Sequence, residues 1–384
     1  MSTYVIKHAS NSSHESYKMS GNYYIGIMSG TSLDGIDVVI AQRTNQGLQQ
    51  IAGIAPDIPA PLRQQLLKIC ADKHIDLQTL GEVDNLFAVA CADAVKKLLQ
   101  EAGISPSKIS AIGSHGQTIF HSPLTTPAFT QQIGDANVIV AQTTIPCVSD
   151  FRRMDMAYGG QGAPLVPAFH QALFAKQGEQ RIILNIGGIA NISILGADNS
   201  VLGYDTGPGN MLMDAWIGEC LGKPFDKDAL FAEQGMINKA LLEKLLDDNY
   251  FTLVAPKSTG REKFNLIWLQ QQLIDLEIDN QDVQRTLLEF SAITISDQIK
   301  QHSSKADVFV CGGGALNPLL MARLQALMEN HTISDTNALN VDPMFVEAIA
   351  FAWLAEQRLL ENPIPLKAVT GATKDTILGC VYLP

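Results

Sequence analysis

Apolar residues come in short β-type runs at the start of the chain. Tyr23–Met28 and Ile36–Ala41 read as strands on either side of the small-residue stretch Ser29–Gly35, and Leu48–Pro56 reads as a third. Three such runs in succession predict an antiparallel meander. Helical spacing follows at Pro61–Ala71 and, over a longer stretch, at about Asp76–Ala102. Ile109–Phe120 reads as a strand, a glycine-containing turn and an extended continuation, and Asp135–Gln142 as a short helix. From Asp150 to about Pro167, glycines and prolines crowd too closely for a regular element, which predicts a hinge or an active-site loop, with the hinge at Gly159–Pro164.

The opening theme then returns, roughly 160 residues later. Arg181–Gly196 is again strand, glycine turn, strand, and Val201–Tyr204 is a short third strand ending in "DTGPGN". Helices are predicted at about Met211–Leu221 and Gln234–Asp247. Ala306–Met328 reads as a buried strand, a triple-glycine turn and a helix; a long helix over about Pro343–Leu360 and a strand near Thr376–Tyr382 close the chain. A meander followed by helices, occurring twice, predicts an α/β protein of two ribonuclease H-like lobes. In the actin and hexokinase superfamily such lobes hold a nucleotide in the cleft between them. Residues 22–150 with about 364–384 would form the first lobe and 151–363 the second, the last strand returning to the first; residues 1–21 read as a disordered leader.

Composition narrows the function. The chain has 384 residues, 46% hydrophobic and 17% charged, enough apolar material for two cores. A net charge of −12 argues against a nucleic-acid partner. No apolar run is long enough for a membrane span, and the polar first residues lack the apolar centre of a signal peptide. The six cysteines are scattered, which predicts reduced thiols in a cytoplasmic protein rather than a disulfide framework or a zinc site.

The candidate chemistry lies in the turns. Gly30 and Gly35 would let backbone amides approach an anion, Thr31 and Ser32 add hydroxyls, and Asp34 or Asp37 suits the waters of a magnesium ion. Gly187 and Gly188 would form a second phosphate-binding turn, and Gly312, Gly313 and Gly314 a close approach to an adenosine. No GxxxxGK[ST], GxGxxG or GxSxG occurs, so P-loop, dinucleotide-fold and hydrolase-elbow readings have no anchor. Asp205 stands at the end of an apolar strand, placed to face a cleft, with Asn210 better suited to cap the helix that follows. His115 and His121 lack a third ligand for a metal; His115 and Gln117 read instead as hydrogen-bonding partners of a polar ligand. Of Arg152 and Arg153, one would pair with Asp150 or Asp155 and the other, taken as Arg153, would face an anionic substrate group, with Gln161 in the same loop. Lys257–Arg261 reads as a further anion-binding turn. Glu347, on an apolar helix, is either paired or functional.

The segments "GIMSGTSLDGID", "GSHGQT", "DFRRMDMAYGGQGAPLVPAFH", "LNIGGIANIS", "GYDTGPGN", "PKSTGREKFN" and "VCGGGALN" together resemble the anhydro-N-acetylmuramic acid kinases, from about Tyr24 to the C-terminus. The resemblance implies the two-lobe actin-like fold. It also implies an ATP- and Mg2+-dependent conversion of 1,6-anhydro-N-acetylmuramic acid to N-acetylmuramic acid 6-phosphate in peptidoglycan recycling. The family's ATP segment falls on Gly30, Thr31, Ser32, Leu33, Asp34, Gly35, Ile36 and Asp37, its catalytic base on Asp205, and a water-orienting carboxylate on Glu347. A homodimer is the expected assembly. The rivals are another sugar or acid kinase of the superfamily, or a non-catalytic ATP-gated scaffold.

Overall fold

The computed structural model describes residues 21–384 apart from Thr31, Ser32, Asp34, Gln46, Lys73 and Pro256, so residues 1–20 of the expected leader lie outside it. The first half runs β1 (Tyr23–Met28), β2 (Asp37–Thr44), β3 (Gly47–Ile54), α1 (Ala60–Asp72), α2 (Leu77–Ala102), β4 (Ile109–Ser114), β5 (Gln117–Ser122), β6 (Phe129–Ile133), α3 (Ala136–Thr143) and β7 (Cys147–Ser149). Two helices, α4 (Arg153–Ala157) and α5 (Val166–Phe174), lead to β8 (Arg181–Ile186), β9 (Ile189–Leu195), β10 (Val201–Pro208), α6 (Met211–Leu221), α7 (Lys239–Leu246), α8 (Leu266–Leu273) and α9 (Asn280–His302). The chain ends with β11 (Asp307–Cys311), α10 (Pro318–Leu327), β12 (Thr332–Asp335), α11 (Val346–Leu359), α12 (Lys367–Thr370) and β13 (Cys380–Tyr382).

Two sheets share one plan. The first has the order β13-β7-β4-β1-β2-β3, the second β10-β9-β8-β11-β12. In each, the three meander strands are antiparallel and two further strands add in parallel beside the first of them. This is the ribonuclease H-like order, present twice. β13 joins the first sheet as an antiparallel edge on β7.

Strand alternation sorts the side chains into layers. On β1, Ile25 and Ile27 enter a core with α2, while Tyr24 and Met28 face the opposite layer. On β8, Ile182, Leu184 and Ile186 enter a core with α9, and Ile183 faces the layer shared with the first sheet. That shared layer contains α5 and α11. Gly26 and Gly113 pair across β1 and β4, and a Cβ on either would strike the backbone carbonyl of Ala348 or Phe351. Their lack of side chains lets α11 lie flat on the first sheet. The expected second lobe at 151–363 therefore contains a helix, α11, that packs on the first sheet.

The expected irregular stretch from Asp150 to Pro167 holds the short helix α4 and is tied down. Buried Asp155 accepts hydrogen bonds from Gly162 N (2.7 Å) and Thr370 Oγ1 (2.7 Å), and Gln161 N donates to Thr370 O (3.0 Å). These bonds fasten the segment expected to act as a hinge at Gly159–Pro164.

Candidate active site

The carboxyl end of the second sheet carries a polar row. Cys311, Asn185, Asn191 and Asp205 are successive cross-strand partners on β11, β8, β9 and β10, and their neighbours Leu184, Ile186 and Val310 turn to the core on the other side. Together with Glu347 from the first turn of α11 they line one cavity of ≈ 110 Å³. One carboxylate thus comes from the second sheet and the other from a helix seated on the first, 142 residues later in sequence.

Asp205 lies within β10, not at its end. The strand runs on to Pro208 through a bulge between Asp205 and Gly207; β10 is an edge strand, where proline and a bulge are both tolerated. Asp205 N donates to Lys257 O (3.0 Å), Tyr250 Oη donates to Asp205 O (2.6 Å), and Thr259 N donates to the carboxylate (3.0 Å). The anion bound by the Lys257–Arg261 turn is therefore Asp205 itself. Burial pushes the Asp205 carboxyl up to about 6, opposed by the Thr259 amide and aided by Glu262. Lys257 is buried and spends its ammonium on Tyr250 O (3.1 Å). Asn210 occupies the N-cap position of α6 without a side-chain cap, its amide donating instead to Ile186 O (3.2 Å).

Glu347 is half-buried, which raises its pKa, while the nearby Arg152 guanidinium lowers it. Arg152, not Arg153, is the inward member of the pair. Its Nη1 donates to Gly162 O (2.7 Å), and its Nη2 and Nε reach His115 Nε2 (2.8 and 3.3 Å). Arg153 is exposed, 3.6 Å from Asp150 and bonded to Gln131 Oε1 (3.3 Å). His115 is buried against Phe351, and burial beside Arg152 holds it neutral, well below its usual range. His121 bonds Thr130 (3.0 Å), and Gln161 is exposed. Gln117 is fully buried and donates to Gly30 O (3.2 Å), bracing the first loop.

That loop is held by side chains reaching its backbone. Ser29 Oγ donates to Gly35 O (3.0 Å), and Arg63 Nε to Leu33 O (2.7 Å). Leu33 and Ile36 point into the core, so only their backbones can serve a ligand; Asp37 opens β2, half-buried. Thr31, Ser32 and Asp34 lie outside the described residues. The second turn is fastened mainly through backbone: Gly209 N and Met211 N donate to Gly188 O, and Asn210 N to Gly187 O, beside the Asn210 side chain on Ile186 O. A Cβ on Gly187 or Gly188 would meet no atom nearer than 3.6 Å, so space is left above the turn. Gly312 has φ 77° and lies against Asn185 and Ile186, which accounts for that glycine by packing; Gly314 likewise abuts Ile186, while Gly313 is open. Among the described residues, no group of three His, Cys, Asp or Glu could hold a metal ion.

The family model described as anhydro-N-acetylmuramic acid kinase matches residues 22–384. The chain belongs to this family. It is 51% identical over 363 residues to the anhydro-N-acetylmuramic acid kinase of Vibrio cholerae, covering 94% of this chain and 98% of the relative. It is 52% identical over 367 residues to that of Photobacterium profundum, with the same coverage. Among solved structures, the activator of 2-hydroxyisocaproyl-CoA dehydratase from Clostridium difficile with bound ADPNP aligns over 88% of this chain and 96% of its own. Its TM-score is 0.47 and its identity 10%. A ROK family glucokinase from Streptomyces griseus aligns over 87% and 99%, at a TM-score of 0.38 and 12% identity.

In this member of the kinase family, six residues of the site escaped the sequence reading: Arg152 as the inward arginine, Thr259 as the Asp205 clamp, Asn185 and Asn191, and His170 with Ser193. The asparagines carried a signal. Each stands at a cavity-facing position of an otherwise apolar strand, symmetric about the glycine turn. His170 carried none, because its partner Ser193 is far away in sequence.

Proposed function

We propose that this chain is an ATP-dependent kinase that opens 1,6-anhydro-N-acetylmuramic acid with water and phosphorylates its O6, giving N-acetylmuramic acid 6-phosphate and ADP. The observation that carries the reading is the meeting of Asp205 and Glu347 in one cavity, within a chain that belongs to this family. Breaking the C1–O6 bridge requires water at C1 and passes through an oxocarbenium-like state. Asp205 takes one proton from that water. A carboxyl at about 6 is ionised at neutral pH and still basic enough for the task. Glu347 orients the water, with Arg152 holding its charge. O6 leaves C1 and bonds to the γ-phosphorus of ATP as ADP departs, so no separate general acid is needed.

Gly30–Asp37 and the Gly187–Gly188 turn would face the phosphates, and Gly312–Gly314 the adenosine. The open space over Gly187 and Gly188 suits this assignment. Magnesium, carried in with the nucleotide, would neutralise phosphate charge, its water shell near Asp37. His115 and Gln117 act by bracing Arg152 and the first loop, and Gln161 borders the sugar side. Residues 22–150 with 364–384 and residues 151–363 act as two lobes, α11 spanning both. The enzyme works in the cytoplasm as a homodimer; no helix among the described residues is long and apolar enough to cross a membrane.

Mass spectrometry of the product made from the anhydro sugar and ATP in ¹⁸O-water tests the reaction. One heavy oxygen at the anomeric position and none in the phosphate is expected. Heavy oxygen in released phosphate, with the sugar intact, would reduce the chain to an ATPase scaffold. ADP release with other sugars or acids only would change the substrate.

A further inference from the structure

His170 is a second polar element of the cavity, on α5, and the reaction above does not use it. It is 1% exposed, packed beside Phe169 and Phe174. Its Nδ1 lies 2.9 Å from Ser193 Oγ, while its Nε2 is buried without any hydrogen-bond partner. Both residues line the same cavity as Asp205 and Glu347. Ser193 occupies the cavity face of β9 two residues along from Asn191, one row below the Asn185–Asn191–Asp205 row. His170 therefore sits at the floor beneath the carboxylates.

The tautomer follows from counting donors. The Ser193 hydroxyl hydrogen has one acceptor within reach among the described residues, Nδ1 of His170. If the hydroxyl donates there, the ring proton is on Nε2 and points into the cavity. If Nδ1 instead carried the proton, both the hydroxyl hydrogen and the Nε2 lone pair would be buried and unmet. Two orphaned groups are worse than one that a cavity water can satisfy. Burial also holds the ring neutral, near 3, so the imidazole is a fixed N–H donor and not a cation facing two carboxylates. The cavity is lined mostly by apolar surface, but Asp205, Glu347, Asn185 and Asn191 line it too and offer a water polar partners, and it is large enough for one.

We propose that His170, with its proton held on Nε2 by Ser193, donates a hydrogen bond to the water that attacks the sugar and so fixes its orientation. A tetrahedral water gives one hydrogen to Asp205 and one to Glu347. It accepts the His170 N–H on one lone pair and aims the other at the anomeric carbon. His170 is a positioning residue: it neither gives up nor gains a proton. The inference rests on the proposed reaction.

The full-length enzyme labelled with ¹⁵N-histidine, without substrate, should show His170 as the neutral Nε2–H tautomer from pH 5 to 8. His170→Phe should lower kcat about tenfold, the loss of one oriented hydrogen bond, with the KM for ATP unchanged. It should also move the acid limb of kcat/KM upward, because the Asp205 carboxylate loses its held water. His170→Gln, which restores an N–H near Nε2, should recover most of the rate; a merely structural role would move neither the limb nor the rescue. Should His170→Phe fail to fold, the histidine spectrum and Ser193→Ala, expected to lose rate and mix the tautomers, decide the matter. An Nδ1–H tautomer with normal turnover overturns this inference alone. So does a folded His170→Phe within about twofold of the unmodified rate with its limb unmoved. Absence of anhydro-sugar turnover in the unmodified enzyme overturns the reaction, and the role of His170 with it.

Discussion

The two sheets have the same strand order, yet their hairpin mouths are built differently. At the first, β1 ends Ile27–Met28 against Val38 and Asp37, and the loop beyond is long and held by side chains of Ser29, Arg63 and Gln117. At the second, β8 ends Asn185–Ile186 against Asn191 and Ala190, Asn191 is in turn paired with Asp205, and the turn is two glycines whose carbonyls accept from backbone amides of 209–211. Topology alone therefore does not say where chemistry sits. The polar row of the second sheet faces Glu347, which reaches it only because Gly26 and Gly113 of the first sheet admit the backbone of α11. In the proposed reaction the first sheet would supply grip and a seat for one carboxylate, and the second the base.

The largest effect expected from this division is at the two aspartates. Asp205→Asn should lower kcat by about 10²–10⁴-fold, the worth of a general base, with nucleotide binding intact. Asp37→Asn should raise the magnesium needed for half-maximal rate and leave the pH profile in place. In the unmodified enzyme, kcat/KM should fall on acidification below about 6, as Asp205 takes up its proton. The same raised pKa acts on stability with the opposite sign to a salt-bridged Asp. The folded state binds the proton more tightly than the unfolded chain, so stability is fullest below the ordinary value of 3.8 and declines as pH rises through about 6. Asp205→Asn should thus raise Tm at pH 8 and lose that advantage near pH 4, measured by thermal denaturation. If Asp37→Asn abolished turnover and shifted the acid limb, the base would not belong to the second sheet.

Two adjacent arginines sharpen the comparison at smaller scale. Arg152→Ala removes the cation beside Glu347 together with bonds to His115 and Gly162 O. It should cut kcat about tenfold or more and raise the pKa of Glu347. Arg153→Ala breaks an exposed pairing with Asp150 and should leave kcat and both KM values within about twofold. A raised KM for the sugar in Arg153→Ala would return that residue to the substrate side.

The arginines also mark the limit of what the sequence made legible. Strands and their doubled order could be read because alternation and glycine turns are local signals; Asp205 and Glu347 stand out as candidates only as carboxylates in apolar surroundings and through the family resemblance. Which of Arg152 and Arg153 turns inward depends on the phase of α4, a helix of one turn inside a stretch that glycine and proline made look irregular. The "DTGPG" run reads as a turn because its bulge is stabilised by an edge position that only the sheet defines. Helix α9 announces itself poorly for a different reason. It is buried on most sides and carries Gln284, Thr286, Ser291, Ser296 and Gln298 inside, so apolar periodicity is blurred. The Lys257–Arg261 turn reads as an anion-binding turn, and in the structure its Thr259 amide is taken by the Asp205 carboxylate of the same protein.

The smallest effects test how each hairpin is held. Gln117 is buried beneath the first loop, and its amide reaches Gly30 O at 3.2 Å. Gln117→Ala removes that brace and leaves the carbonyl free to turn, which should raise the KM for ATP about three- to tenfold with kcat nearly unchanged, since one neutral hydrogen bond is lost. At the second turn, no side chain among the described residues bonds Gly187 or Gly188 directly; backbone amides do. Gly188→Ala adds a methyl whose nearest neighbour is Met211 Cβ at 3.6 Å, an ordinary contact, so the fold should accept it and Tm should hardly move. Any rise in the KM for ATP there would come from the methyl entering the space above the turn. Steady-state kinetics on the two variants separates the cases: a Gly188→Ala enzyme with unaltered KM for ATP would mean that no phosphate lies over the second turn, leaving the first loop as the sole grip.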